Sequence, residues 1–244
     1  MGRRLMCVVA HPDDECVGFG GALALAAERG AETSVICLTD GQAATNRGGS
    51  GSAAELGAMR RAEFAASCKV LGATQHELLD YQDAQLEHAS ISEMAARLVE
   101  RMRRFRPHVV ITFSGDGGAN THSDHSMVSF ATTAAFHWSG SPKRYAGLGD
   151  VYRPQRLFYL TTNFFLPERL APLPPPWTLT LDISRVFERK LEAFRAHTSQ
   201  APLMQIVEPL WRQHGLAELY TLAATTTPEA ARQSTDLFEG VVED

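Results

Sequence analysis

The sequence predicts a single α/β domain, built on a doubly wound, mostly parallel sheet with helices on both faces. Three observations carry that expectation. Short, continuous apolar runs alternate with longer segments whose apolar residues fall at helical spacing, and glycine or proline marks most changes of period. The runs are apolar at nearly every position rather than at alternate ones, which suits strands buried on both faces. Finally, 244 residues with 44% hydrophobic and 21% charged side chains are enough for one large core. Four or five βα units in series, joined by right-handed crossovers, make a Rossmann-like arrangement.

The elements follow in order. Leu5 to Ala10 reads as the first buried strand. Val17 to Arg29, rich in Ala and Leu and closed by Gly30, reads as the first helix. Thr33 to Thr39 (TSVICLT) is the second strand, ended by Asp40-Gly41. Residues 42–53 are mostly Gly, Ser, Ala and Asn, a mobile-loop composition, and whether they close over a ligand is left open. Ala54 to Leu71 carries Leu56, Met59, Phe64, Val70 and Leu71 at helical spacing before a Gly72 stop, and Glu77 to Tyr81 is a short strand. Ile91 to Phe105 places Met94, Leu98, Met102 and Phe105 on one helix face, Pro107 ends it, and Val109 to Phe113 is the fourth strand. A helix over Asp124 to Trp138, strands over Arg156 to Thr161 and Thr178 to Asp182, and a helix over Ser184 to His197 complete the pattern. A proline-rich crossing (Pro167, Pro172, Pro174 to Pro176) separates the last two strands. The C-terminal third is less regular, with no strand signal from Thr225 onward. Its last ~20 residues read as an irregular appendage to the same domain, 1–244.

Composition narrows the function. Twenty-three Lys plus Arg against 28 Asp plus Glu give a net charge of −5, the wrong sign for a nucleic-acid partner held by phosphate neutralisation. The cysteines Cys7, Cys16, Cys37 and Cys68 form no C-x-x-C pair and read as reduced, structural thiols. The first apolar run is only a strand long, and no stretch approaches the ~20 apolar residues of a membrane span. The expectation is a cytoplasmic protein with no membrane association. Self-association into a homo-oligomer is left open.

Chemistry concentrates in two loops. His11-Pro12-Asp13-Asp14-Glu15 follows the first strand, and Thr121-His122-Ser123-Asp124-His125 follows the fourth. In an open α/β sheet these two strands commonly flank the point where strand order reverses, beyond which ligands bind. Two His/Asp clusters far apart in sequence therefore converge on one predicted crevice. Hydrolytic zinc takes about three N or O ligands and leaves a position for water, and His11, Asp14 and His125 supply that set. Asp13 then points toward the water as general base, and His122 serves the developing oxyanion. Asp124 reads either as the N-cap of the next helix or as the group fixing the tautomer of His122.

AHPDDE at residues 10–15 together with HSDH at 122–125 resembles the paired motifs of the LmbE-like/PIG-L family of zinc-dependent N-deacetylases. The resemblance extends to Gly18, Gly20 and Gly21, to Thr39-Asp40-Gly41, to Arg60 to Glu63, to Asp83, and to Ala196 to Gln200. It implies removal of an N-acetyl group from an N-acetylglucosamine-type sugar or conjugate, with Zn²⁺ held by His11, Asp14 and His125. It also implies Asp13 as base, His122 as electrostatic or acid partner, and Arg60 and Asp83 near the sugar. His197 reads either as a helix-end residue bonded to the last carbonyls or as part of the substrate-binding wall. Ala84 stands where the family usually has glycine, and no aromatic hydroxyl precedes His122 in residues 114–121.

The competing reading is a nucleotide- or dinucleotide-binding protein without hydrolytic activity. Gly18-Phe19-Gly20-Gly21 opens a helix after a strand, and Asp40 lies about 20 residues on. The fingerprint fails at Leu23, where a small residue is required. A non-catalytic partner subunit is a third reading, and the complete set of chemical residues argues against it.

Overall fold

Seven strands form one sheet: β1 (Arg4–Val9), β2 (Glu32–Thr39), β3 (Gln75–Tyr81), β4 (Val109–Phe113), β5 (Arg156–Thr161), β6 (Leu179–Asp182) and β7 (Ala217–Thr225). They lie in the order β3-β2-β1-β4-β5-β7-β6. The structure, a computed structural model, describes residues 2–162, 176–227 and 233–243. The first five strands pair in parallel, and β1 and β4 are buried at every position, as their unbroken apolar runs require. The doubly wound expectation holds for this part of the sheet.

Among the described residues, seven α-helices connect the strands: α1 (Asp14–Val17), α2 (Gly20–Glu28), α3 (Ala53–Leu71), α4 (Ile91–Phe105), α5 (Ser123–Ser139), α6 (Phe187–Arg195) and α7 (Ala201–His214). Helices α4 and α5 pack on one another, while α2, α3 and α6 form a second group. The core they enclose is led by β1, α2, β4 and the inner face of α4, including Met94, Leu98 and Met102 as their helical spacing required. Helix α3 begins with a capping box: the Ser52 hydroxyl accepts from Glu55 N–H at 3.2 Å while Glu55 returns a carboxylate to Ser52 N–H at 3.1 Å. It stops at Gly72, whose φ of +79° is left-handed.

Two parts differ from the sequence expectation. The helix expected over Val17 to Arg29 is broken at Gly18-Phe19 into α1 and α2, because the acidic motif itself forms the short first helix. The C-terminal third is more regular than expected: α7 follows α6, and β7 inserts antiparallel between β5 and β6. Its sequence, AELYTLAAT, lacks the apolar run that betrays the parallel strands. Glu218 in β7 is buried because its carboxylate accepts from Gly21 N–H at 2.7 Å and Ala22 N–H at 2.8 Å, capping α2, with Lys190 Nζ at 2.7 Å. The proline-rich crossing lies almost wholly outside the described residues. Among them, no helix is long and apolar enough to cross a membrane.

Candidate active site

Strand β1 is flanked by β2 on one side and β4 on the other, so the chain reverses its direction of winding there, and the loops after β1 and β4 open into one crevice. The loop after β1 is closed by its own acid. Asp14 Oδ2 accepts from His11 N–H at 2.8 Å, and Asp14 N–H reaches back to His11 O at 3.3 Å. This turn sets His11 Nδ1 3.4 Å from Asp14 Oδ2. From the other loop, His125 in the first turn of α5 brings Nε2 to 3.3 Å from Asp14 Oδ1. Its ring lies flat on Phe113, centroids 3.9 Å apart and planes 2° from parallel, and its Nδ1 donates to Gly117 O at 3.0 Å.

His11, Asp14 and His125 therefore offer two imidazole nitrogens and a carboxylate within 4.8 Å of one another. Ligands about 2.1 Å from a tetrahedral ion stand about 3.4 Å apart, and the Asp14 carboxylate meets each imidazole at about that spacing, Oδ2 3.4 Å from His11 Nδ1 and Oδ1 3.3 Å from His125 Nε2. The far nitrogens are also committed as a metal site needs: His11 Nε2 faces Asp83 at 3.0 Å and Asp124 at 3.2 Å, and His125 Nδ1 has its carbonyl. The residues present fit a divalent transition metal. Burial pushes the Asp14 carboxyl up, but His125 and His11 outweigh it and hold the group well below the usual carboxylate range, so it is ionised for such a role.

Asp13 stands beside the triad in a left-handed conformation, φ +106°, that an aspartate rarely adopts. Two groups, Glu15 and Arg60, hold it there. Its N–H donates to Glu15 Oε2 at 2.9 Å, its carboxylate accepts from Arg60 at 2.9 Å, and the same guanidinium donates to Pro12 O. Burial pushes Asp13 up to about 6; Arg60 opposes the shift and the Asp14 charge adds to it. His122 caps α5: its Nδ1 accepts from Asp124 N–H at 3.1 Å, with its ring centroid 4.9 Å from that of His11. Burial, then His11 and His125, lower its pKa, so it is neutral near pH 7 and its proton sits on Nε2, facing the site.

The expected pairing of Asp124 with His122 needs correction. The Asp124 carboxylate is fully buried and turned the other way, against His11 Nε2 at 3.2 Å, while it accepts from Ala84 N–H at 2.8 Å and Leu86 N–H at 3.2 Å. It orients the first imidazole, and only its backbone N–H touches the second. Nor does its side chain cap α5, whose N-cap is His122.

The three residues linked to substrate occupy different positions. Asp83 lines the crevice, but one oxygen faces His11 and the other accepts from Ala43 N–H at 2.9 Å. Arg60 is 3% exposed and also donates to Gly41 O at 2.9 Å, bracing the loops from below. His197 is enclosed beneath Asp13, with Nε2 2.7 Å from Glu15 Oε1. Sequence reasoning gave Glu15 no role, yet it ties together His197, Ser67 and the Asp13 backbone. A fourth ionisable residue in a strand-end motif was the available signal for Glu15, though not for its partner. Ala84 takes a φ of +61°, the conformation a glycine would adopt there, and so still delivers its N–H to Asp124. The triad, Asp13 and His122 share a cavity of about 440 Å³ with Ala43 to Asn46, Leu160, Gln200, Leu203 and Val207.

The α2 N-terminus, where a pyrophosphate would sit in the dinucleotide reading, is already filled by the Glu218 carboxylate. A crevice holding a His/Asp/His donor set and a flanking carboxylate instead defines a metal-dependent hydrolase of the Rossmann-like class. Comparison with known proteins agrees: the profile of the PIG-L family, GlcNAc-PI de-N-acetylase, matches residues 6–136, and the chain belongs to this family. A 1D-myo-inositol 2-acetamido-2-deoxy-alpha-D-glucopyranoside deacetylase of Rhodococcus jostii is 29% identical, over 81% of this chain and 82% of that enzyme. The diacetylchitobiose deacetylase of Thermococcus kodakarensis is 30% identical, over 87% of this chain and 74% of its own length. The crystal structure of N,N'-diacetylchitobiose deacetylase from Pyrococcus horikoshii superimposes with a TM-score of 0.73, covering 93% of this chain and 87% of that one; at 23% identity this shows the shared fold.

Proposed function

We propose that this protein hydrolyses the N-acetyl group of an N-acetylglucosamine-type sugar or sugar conjugate, using Zn²⁺ held by His11, Asp14 and His125. The convergence of this donor set with a carboxylate held ready as a base and a neutral imidazole, in one cavity, is the observation that supports it. Two imidazoles with one carboxylate suit a borderline metal such as zinc. When bound, the ion supplies Lewis acidity toward the amide carbonyl and acidifies water.

This chain's residues do the rest. Asp13, basic enough at about 6 to take a proton yet ionised at pH 7, removes the proton from the attacking water through the carboxylate oxygen that Arg60 leaves free. His122 presents Nε2–H to the oxygen that gains charge as the carbonyl becomes tetrahedral; its Nδ1 is fixed as an acceptor by the α5 backbone, so no tautomer change is needed. Asp13 then passes its proton to the departing amine, and acetate and a free amino sugar leave. Asp83 and Asp124 keep His11 turned toward the ion. The wall from Ala43 to Asn46, part of the Gly/Ser-rich loop, borders the sugar. All four cysteines are free and buried, which supports a reducing, cytoplasmic setting.

The test is release of acetate and a primary amine from a panel of N-acetylglucosamine conjugates by zinc-loaded protein. Stoichiometric appearance of both is expected. A panel without turnover, in protein shown to hold one zinc per chain, refutes the reading.

A further inference from the structure

Beneath Asp13 lies a second buried ionic cluster that the proposed chemistry leaves unused. Glu15 and His197 are both enclosed, and both carboxylate oxygens of Glu15 are engaged. Oε2 accepts from Asp13 N–H at 2.9 Å; Oε1 meets His197 Nε2 at 2.7 Å and accepts from the Ser67 hydroxyl at 2.5 Å. The first of these contacts reaches the strained residue itself. Asp13 has φ +106° and ψ −29°, a conformation that L side chains avoid and that survives only where the surroundings impose it.

The Glu15 contact is the one that imposes it. The Asp13 carbonyl starts α1, accepting from Cys16 N–H at 3.1 Å and Val17 N–H at 2.9 Å. Rotation about φ turns the N–H against the side chain, so the acceptor of that N–H sets the direction of the Asp13 carboxylate. Arg60 holds the far end of the side chain, at 2.9 Å, and Glu15 holds its root.

His197 serves Glu15. It is not among the described residues lining the reaction cavity, and among the described residues its Nδ1 has no hydrogen-bond partner. A buried nitrogen left unpaired costs stability, and a histidine ending a helix for stability alone would bond to its last carbonyls. The ring is therefore placed for Nε2, which stops the Glu15 carboxylate from rotating. The 2.7 Å contact is a hydrogen bond rather than half of a metal site, since ligands about 2.1 Å from one tetrahedral ion stand about 3.4 Å apart.

We infer that Glu15 and His197 are a positioning pair for the general base: Glu15 fixes the Asp13 backbone so that its carboxylate faces the attacking water, and His197 keeps Glu15 in place. The inference rests on the deacetylase reading and deepens it. A general base contributes about 10²–10⁴-fold, and a misplacement of about 1 Å costs about 10²-fold. Loss of Glu15 should therefore lower kcat by about 10²-fold and by no more than loss of Asp13 does, with KM and zinc content unchanged.

The experiment measures kcat, KM and bound zinc in Glu15→Ala, His197→Leu and His197→Gln, and in the first two combined with Asp13→Ala. His197→Leu leaves Glu15 two donors, the Asp13 N–H and the Ser67 hydroxyl, so it tests the pair even where Glu15→Ala fails to fold. It should lower kcat by about tenfold, and His197→Gln, whose amide still donates to Glu15, should restore most of that loss. Because the pair acts through Asp13, neither Glu15→Ala nor His197→Leu should lower kcat further in Asp13→Ala, where an independent structural defect would multiply the losses. Crystal structures give a readout that needs no substrate. Asp13 should take a negative φ in Glu15→Ala, and in His197→Leu the Glu15 carboxylate should turn away from Asp13 N–H. An Asp13 still near φ +106° in Glu15→Ala, a Glu15 unmoved in His197→Leu, losses that multiply with Asp13→Ala, or a fall in kcat matched by lost zinc overturns the inference. Wild-type protein that holds zinc and releases no acetate defeats the deacetylase reading, and the two crystal structures then decide whether the pair positions Asp13.

Discussion

Replacing Asp124 with Asn separates two roles that one carboxylate can play. Its carboxylate meets His11 Nε2 at 3.2 Å and does not meet the His122 ring, which is held by the Asp124 backbone N–H at 3.1 Å. Loss of the charge should therefore weaken the ion's grip on His11 and leave His122 in its tautomer. Removing a carboxylate that orients a metal-bound imidazole typically costs 10–100-fold in metal affinity. Asp83, 3.0 Å from the same nitrogen, remains, so the loss should lie near tenfold, about 1.4 kcal/mol. Asn also sets an NH₂ against a backbone N–H of Ala84 or Leu86, which costs about 1–3 kcal/mol of stability and is read separately by thermal denaturation. The assay is zinc affinity by competition with a chromophoric chelator, with kcat measured at saturating zinc. Affinity down about tenfold with kcat within a few-fold is expected. Unchanged affinity with kcat reduced a thousandfold would show that Asp124 acts through His122, and would refute the assignment.

Four further outcomes are expected. His122→Ala should lower kcat by about 10²–10³ while the protein keeps its zinc, measured by steady-state kinetics beside metal analysis. Asp13 titrates near 6 without metal and must be ionised to act as base, so kcat/KM should fall as pH drops; a bound cation places that limb at or below pH 6. Arg60→Met removes the guanidinium that lowers the Asp13 pKa and should move the limb to higher pH; a shift to lower pH contradicts the pairing. Ala84→Gly should relieve the left-handed strain at φ +61° and stabilise the fold by about 0.5–1 kcal/mol, net of the extra freedom glycine has when unfolded. For a chain of this length that is a rise of about 1–4 °C in Tm.

What the sequence disclosed follows from how each feature is encoded. Strands β1, β2 and β4 announce themselves because burial on both faces demands unbroken apolar runs. Strand β7 does not, since Glu218 is buried through a tertiary contact with the α2 amides that no local pattern reveals. The donor set was legible because strand order alone brings the ends of β1 and β4 together. Which carboxylate meets which imidazole was not, because it depends on how the first turn of α5 aims Asp124 and His122. The Glu15–His197 pair spans 182 positions and likewise has no sequence signature, although it helps hold Asp13 in its unusual conformation.

The proposed chemistry requires one ion bound between the two loops. The most direct measurement is the anomalous scattering of crystals grown with zinc, recorded on both sides of the zinc absorption edge. One strong peak is expected within about 2.0–2.2 Å of His11 Nδ1, an Asp14 carboxylate oxygen and His125 Nε2. No peak there, or a peak among Glu15, Cys16 and His197, whose donor atoms also lie within 4.8 Å of one another, would contradict it.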